Sequence, residues 1–150
     1  MFEDLLAQAQ KAGVKHFVVG AFIVAERQIL ILRRRRGDFW GGYYEIPGGG
    51  VEKNETLSAA VIREVLEETG LKTKTITAYV NSFDYLSAEG ERTRQFNFEV
   101  TTDSATPVLS EHDHYAWIGP DTKLAPYPLS EKMQLCIQDY FAHFSSSPPA

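Results

Sequence analysis

GGGVEKNETLSAAVIREVLEETGL, residues 48–71, opens on three glycines, closes on Gly70-Leu71 and crowds Glu64, Glu67 and Glu68 into five positions. Leu57, Ala60, Val61, Val65 and Leu66 recur at helical spacing, so the stretch predicts a helix over 55–69 that stops at Gly70. Successive helical residues turn by about 100°, which gathers the three glutamates on roughly a third of the circumference, away from the apolar stripe. Like charges four residues apart cost a few tenths of a kcal/mol in an isolated helix. Two compensations are open. Arg63 with Lys53 or Lys72 could neutralise the face as an ordinary surface network, or the glutamates could hold a hard, oxygen-seeking cation such as Mg²⁺ or Mn²⁺. Other metals fit worse: there is no calcium loop of the helix-loop-helix kind, and His16, His112, His114 and His143 lack the zinc-binding helical spacing, His112 and His114 reading as loop residues.

Outward from this helix the chain alternates strand and turn signals. KHFVVGAFIVAE and QILILRR read as two strands joined tightly near Glu26-Arg27. DFWGGYYEIPGGG is turn-rich, with Tyr44-Glu45-Ile46 as a very short strand. TITAYVNSFDYLS and RTRQFNFEVTT form a hairpin across Ala88-Glu89-Gly90. In its second arm Phe96, Phe98 and Val100 alternate with Gln95, Asn97 and Glu99, giving one apolar and one polar face. YAWIG is a further short strand, and SEKMQLCIQDYFAHF a helix capped by Ser130. Residues 3–11 read as a short amphipathic helix within an N-terminal extension over 1–13, and 145–150 as a frayed, disordered tail.

The length of 150 residues suits a single domain over 1–150, able to bury a core without a disulfide or structural metal. Cys136 is the sole cysteine, expected inside the late helix. The N-terminus carries acids early and no apolar core, which argues against a signal peptide, and no apolar run reaches membrane-spanning length. A cytoplasmic protein with no membrane association is the expectation. Net charge is −5, from 20 acidic and 15 basic residues, which disfavours stable nucleic-acid binding. Arg33-Arg34-Arg35-Arg36 runs against that charge; it reads either as a solvated strand end or, beside a glycine-rich loop, as an anion site.

Written by spacing, the opening stretch is Gly49, five residues, Glu55, seven residues, then Arg63-Glu64-Val65-Leu66-Glu67-Glu68-Thr69-Gly70-Leu71. It resembles the Nudix box, G-x5-E-x7-R-E-U-x-E-E-x-G-U with U aliphatic, at every specified position. Fixed residues at roughly 0.07 frequency each make a chance match on the order of 10⁻⁸ per starting point. The resemblance implies an α/β fold, the α/β/α Nudix sandwich around a central mixed sheet, over residues 14–144. It implies hydrolysis of a nucleoside diphosphate linked to another moiety. Glu64, Glu67 and Glu68 are then the divalent-metal ligands, with the Gly48 carbonyl a further one. Arg63 and Glu55 are similar to the pair that braces loop and helix and orients the catalytic carboxylates. Glu111, before the strand of Trp117, matches a further acidic metal or base residue, with Asp113 the runner-up. Glu64, Glu67 and Glu111 compete as general base, and a box glutamate is favoured.

On the substrate side, Arg34 and Arg33 are candidates for a phosphate clamp, and Arg35 and Arg36 are expected in solvent. Gly48, Gly49 and Gly50 let the backbone turn closely around a metal. Phe39, Trp40, Tyr43, Tyr44, Phe83, Tyr85, Phe96 and Phe98 could each stack on a base, though strand aromatics usually pack inward. Trp40, beside Gly41 and Gly42 in a loop, is the one placed at a pocket edge. The leading expectation is an Mg²⁺-dependent pyrophosphohydrolase of a nucleoside triphosphate, ordinary or oxidised, with Mn²⁺ a possible substitute. ADP-ribose or another nucleotide sugar is the rival substrate. A non-catalytic nucleotide sensor is the alternative of another class. A homodimer is common among such proteins.

Overall fold

Alternating apolar residues give this chain a sheet with two covered faces. The computed structural model describes residues 2–144, and the tail expected at 145–150 lies outside them. The elements in order are α1 (Glu3–Lys11), β1 (His16–Ala25), β2 (Gln28–Arg34), β3 (Tyr44–Glu45), β4 (Gly48–Gly50), α2 (Leu57–Thr69), β5 (Thr73–Leu86), β6 (Arg92–Thr102), β7 (His112–Ile118) and α3 (Glu131–His143). The strands form one mixed sheet in which β1 and β6 run parallel and the other strand pairs antiparallel.

Val19, Ala21 and Ile23 of β1, Leu30 and Leu32 of β2, and Phe96, Phe98 and Val100 of β6 meet Leu57, Ala60, Val61 and Val65 of α2 and Ala9 of α1. Their neighbours Phe22, Ile29 and Ile31 point to the other face, against Met133, Cys136, Ile137 and Tyr140 of α3. The strand period of two thus sorts one chain into two cores and yields the α/β/α sandwich. Each fully buried aliphatic side chain contributes about 1.5–3 kcal/mol relative to exposure. Among the described residues no helix is long and apolar enough to cross a membrane.

Local chemistry sets the element ends. Glu26 and Arg27 both take positive φ, 50° and 66°, in the turn between β1 and β2, a conformation that fits the twist of a tight hairpin. Thr56 Oγ1 accepts a hydrogen bond from the Ala59 amide at 3.1 Å, so α2 begins at Leu57 rather than 55 and leaves Glu55 in the preceding loop. Gly70, at φ 69°, closes the helix in the left-handed conformation.

Four local expectations need correction. Gly48–Gly50 is a strand, paired with Val18–Gly20 of β1, where three glycines offer no side-chain period to read. His112 and His114 belong to β7, which pairs with β2 further back than YAWIG suggests. Leu66 is 46% exposed and leaves the apolar stripe, while Glu68 is 6% exposed. Asn97, on the polar face of β6, is fully enclosed because α3 covers it.

Candidate active site

Arg63 organises the loop-to-helix junction. Its Nε and Nη2 each donate to the Glu55 carboxylate at 2.8 Å, and Nη2 also donates to the Gly50 carbonyl at 2.8 Å. Nη1 donates to Glu64 at 2.8 Å and to Glu67 at 3.3 Å. One guanidinium therefore ties β4, the following loop and two helix acids together, with the fork geometry that suits carboxylates. These bonds stabilise the charged forms, raising Arg63 above its ordinary pKa and holding Glu55 below its own, chiefly through each other's hydrogen bonds. Neither Lys53 nor Lys72 takes the part the surface-network reading gave them; Arg63 carries it alone among the described cations.

Glu64, Glu67, Glu68 and Glu111 line one cleft of about 480 Å³, floored by Gly48, Gly49 and Gly50. Burial pushes Glu64 up from the usual carboxylate range, Arg63 opposes the shift, and Glu67 and Glu111 add to it. Glu68 Oε1 accepts the Gly48 amide hydrogen at 2.7 Å, yet burial still lifts its carboxyl to about 7. Behind it His112 joins Glu45 through Nε2 at 2.9 Å, and the buried His112 Nδ1, 3.9 Å from Glu68, has no hydrogen-bond partner. A side chain at Gly49 would overlap the Glu64 carboxylate, and one at Gly48 would overlap the Val19 carbonyl, whereas Gly50 faces open space. The glycine requirement thus falls on two of the three.

The donors suit a hard divalent cation. Every candidate side-chain donor is a carboxylate, the Gly49 cradle keeps backbone close to Glu64, and Glu111 has no ion pair among the described residues. As they stand, no three described acidic, histidine or cysteine side chains gather around one point. Arg63 Nη1 lies between Glu64 and Glu67, and convergence needs rotation of Glu67, whose side chain is 57% exposed and held only by the 3.3 Å contact.

A second compartment, about 530 Å³, opens beside the first. Phe39, Trp40, Tyr43, Tyr44, Phe83 and Tyr85 give it aromatic walls. Arg34, Glu45, Tyr85, Gln95 and Met133 line both compartments, so the two are continuous. Trp40 stands edge-on to Phe39 and Tyr43, at φ 60° in its loop. Phe96 and Phe98 are core and take no part. Arg34 donates to the Phe39 carbonyl at 2.6 Å and to Glu45 at 3.2 Å. Arg33, the next residue on the strand, points away; it pairs with Asp113 at 2.7 Å and lines neither compartment. Arg35 and Arg36 are exposed, and Arg35 also donates to the Ser110 carbonyl at 2.6 Å, while Ser110 Oγ donates to the Glu67 carbonyl at 2.8 Å, tethering the segment that carries Glu111. Glu45 and His112 were not singled out from sequence, where a lone Glu near a turn and a His in a polar run carry no distinguishing period.

A model of the NUDIX domain family matches residues 14–139. The CTP pyrophosphohydrolase of Escherichia coli K12 is 31% identical over 113 residues, 75% of this chain and 82% of that protein. The ADP-ribose pyrophosphatase of Methanocaldococcus jannaschii is 40% identical over 68 residues, covering 44% of this chain and 40% of that protein. Among solved structures, a MutT NUDIX hydrolase from Burkholderia pseudomallei superposes with a TM-score of 0.70 at 27% identity, over 83% of this chain and 96% of its own.

Proposed function

From the premise that this chain belongs to the Nudix family of hydrolases acting on phosphoric anhydrides, we propose a divalent-metal-dependent pyrophosphohydrolase of nucleoside triphosphates, ordinary or oxidised. The observation that carries this reading is the continuous cleft. A base stacked among Phe83, Tyr85 and Trp40 would send its phosphates past Arg34 onto the acidic wall. Arg34 spends Nε and Nη1 on Phe39 and Glu45, which fixes the guanidinium and leaves Nη2 for an outer phosphate. Next to the acids, a pocket of about 330 Å³ lined by Arg34, Arg35, Asp38, Glu68, Glu111 and His112 sets two guanidinium groups beside the acidic wall, which could pair with a terminal phosphate.

Glu64, Glu67 and Glu68, with Glu111 and the Gly48 carbonyl, would hold Mg²⁺, or Mn²⁺ in its place. The ion supplies charge neutralisation and a more acidic water. The chain supplies position and proton acceptance. Water oxygen bonds to phosphorus as the bridging P–O bond breaks, and the water proton passes to a box carboxylate. Burial raises the proton affinity of Glu64, which suits it to that role. Arg63, braced by Glu55, holds Glu64 against the Gly49 cradle and reaches Glu67 with the same Nη1.

The name of the Methanocaldococcus relative supports a second reading, ADP-ribose or another nucleotide sugar as substrate. Both are tested by chromatographic product analysis over nucleoside triphosphates, oxidised dGTP, ADP-ribose and sugar nucleotides, with and without Mg²⁺, using wild type and Glu67→Gln. Monophosphate and pyrophosphate released from a triphosphate only with metal, and lost in the variant, is the expected outcome. Preferred cleavage of ADP-ribose would transfer the assignment to nucleotide sugars. Metal-dependent nucleotide binding without turnover would refute the hydrolase reading in favour of a sensor.

A further inference from the structure

The polar row of β6 faces α3 and the cleft. Glu99 accepts from the Tyr140 hydroxyl at 2.6 Å, Asn97 is enclosed, and half-buried Gln95 reaches both cleft compartments. A run of amides links the last two to α3. Asn81 Nδ2 donates to Asp139 Oδ2 at 2.8 Å, Asn97 Nδ2 donates to Asn81 Oδ1 at 2.8 Å, and Gln95 Nε2 donates to Asn97 Oδ1 at 2.9 Å. The direction of this relay follows from its anchor. A carboxylate only accepts, so Asn81 turns its NH₂ towards Asp139 and its carbonyl oxygen towards Asn97, and the same constraint passes to Gln95. The Cys136 carbonyl, 3.4 Å from Asn81 Nδ2, agrees with that orientation. Inverting Asn97, the enclosed member of the relay, would set donor against donor towards Gln95 and acceptor against acceptor towards Asn81, leaving a buried amide unpaired. Gly20 makes the space: a side chain there would overlap Asn97 Oδ1.

The relay ends on Gln95 Oε1, an acceptor that no described protein donor reaches. Register places Gln95 opposite Phe83, on the wall of the aromatic compartment. Resting on the nucleotide-hydrolase reading above, we propose that Gln95 Oε1 accepts a hydrogen bond from an exocyclic amino group of the substrate base, with Asp139 as the positioning residue that sets this polarity from outside the cleft. Nucleotides of amino-bearing bases are preferred. An amino group projects furthest from a stacked ring towards the sheet, whereas a ring N–H flanked by carbonyls, as in uracil, brings further acceptors against the same oxygen.

The test compares kcat/KM for CTP and ATP with their 4-desamino and 6-desamino analogues, in wild type, Gln95→Leu, Asp139→Asn and Asp139→Glu. Loss of the amino group costs the better substrate about tenfold in wild type, the scale of one net hydrogen bond. Gln95→Leu abolishes the difference. Asp139→Asn, which can also donate, shrinks it to about threefold, and Asp139→Glu keeps it. Equal rates for amino and desamino substrates in wild type, or an undiminished ratio in Gln95→Leu, overturn the proposal while leaving the hydrolase reading intact. An undiminished ratio in Asp139→Asn overturns the anchoring role. Absence of metal-dependent turnover on every nucleotide removes the hydrolase reading and this inference with it.

Discussion

Replacing Arg63 by alanine tests whether the acidic helix depends on its clamp. An exposed ion pair is worth about 0–1 kcal/mol, and a surface network would lose no more. Arg63 differs in geometry and enclosure. It makes a two-bond fork to Glu55, a further bond to Glu64 and one to the Gly50 carbonyl, all at 2.8 Å. The side chains left behind, Glu55 and Glu64, are only 13% and 12% exposed. Orphaning a buried charge costs about 3–5 kcal/mol, and the partial exposure of Arg63, 23%, brings the expectation to about 3 kcal/mol. At roughly 2–4 °C per kcal/mol for a chain of this size, Tm falls by about 6–12 °C. Arg63→Lys keeps the charge but loses the fork, and about half the effect is expected. The assay is urea denaturation of wild type, Arg63→Ala, Glu55→Gln and the double variant at neutral pH. A double-mutant coupling of about 2 kcal/mol between Arg63 and Glu55 is expected. A loss below about 1 kcal/mol with no coupling would refute the reasoning and return the pair to ordinary surface chemistry.

Gly49→Ala drives a methyl into the Glu64 carboxylate and is expected to cost about 100-fold in kcat with the fold retained, while Gly50→Ala, in open space, stays within about threefold; equal effects in a rate assay would contradict the cradle. Asp84 is held near a pKa of about 2, chiefly by hydrogen bonds from Arg94 at 2.6 and 2.9 Å and then by Arg92. Its folded pKa lies below the unfolded value of 3.8, so its contribution is complete above about 3.8 and disappears as pH falls towards 2. With the side chain 34% exposed, screening reduces this to about 1 kcal/mol, and denaturation at pH 4.5 and 2.5 should show a flatter decline in Asp84→Asn. Burial pushes the Cys136 thiol up to about 11, so a disulfide reagent should label it only as fast as the fold opens, and immediate labelling of native protein would contradict its enclosure.

The sandwich and the acidic helix were legible because both are written in periods. Val19, Ala21 and Ile23 against Phe22, and Leu30 and Leu32 against Ile29 and Ile31, assign two faces from alternation alone. Thr56 and Gly70 punctuate α2 with side-chain and backbone chemistry. What stayed hidden depended on which neighbour lands where. Alternation says that Arg33 and Arg34 oppose each other, and only the fold puts Arg34 in the cleft and Arg33 on Asp113. The same applies to Asn97, a polar residue whose burial is decided by α3, and to His112, enclosed by its proximity to Glu45 and Glu68.

The cleft exists because β1 changes partners along its length. Only Val24 and Ala25 pair with β2; nearer its start, Val18, Val19 and Gly20 pair with β4 instead. Where β2 leaves, it carries Arg34 towards β3 and β7, while β4 stays on β1 and brings Gly49 beneath Glu64. Glu45-Ile46-Pro47-Gly48 is the short span between these diverging edges, which is why Glu45 and Gly48 approach Glu68 and its neighbour His112 from two sides. Parallel pairing of β6 with β1 then sets Gln95 across from Val18, at the mouth of the same gap. Metal-ligand candidates, the proposed phosphate clamp Arg34 and the proposed base reader Gln95 therefore arrive on different elements, and each is positioned by packing that would be needed for folding alone. A substitution that closes the gap, such as a side chain at Gly20, would meet Asn97, Gln95 and Ile46 together and is expected to disturb base selection and the cleft in one step.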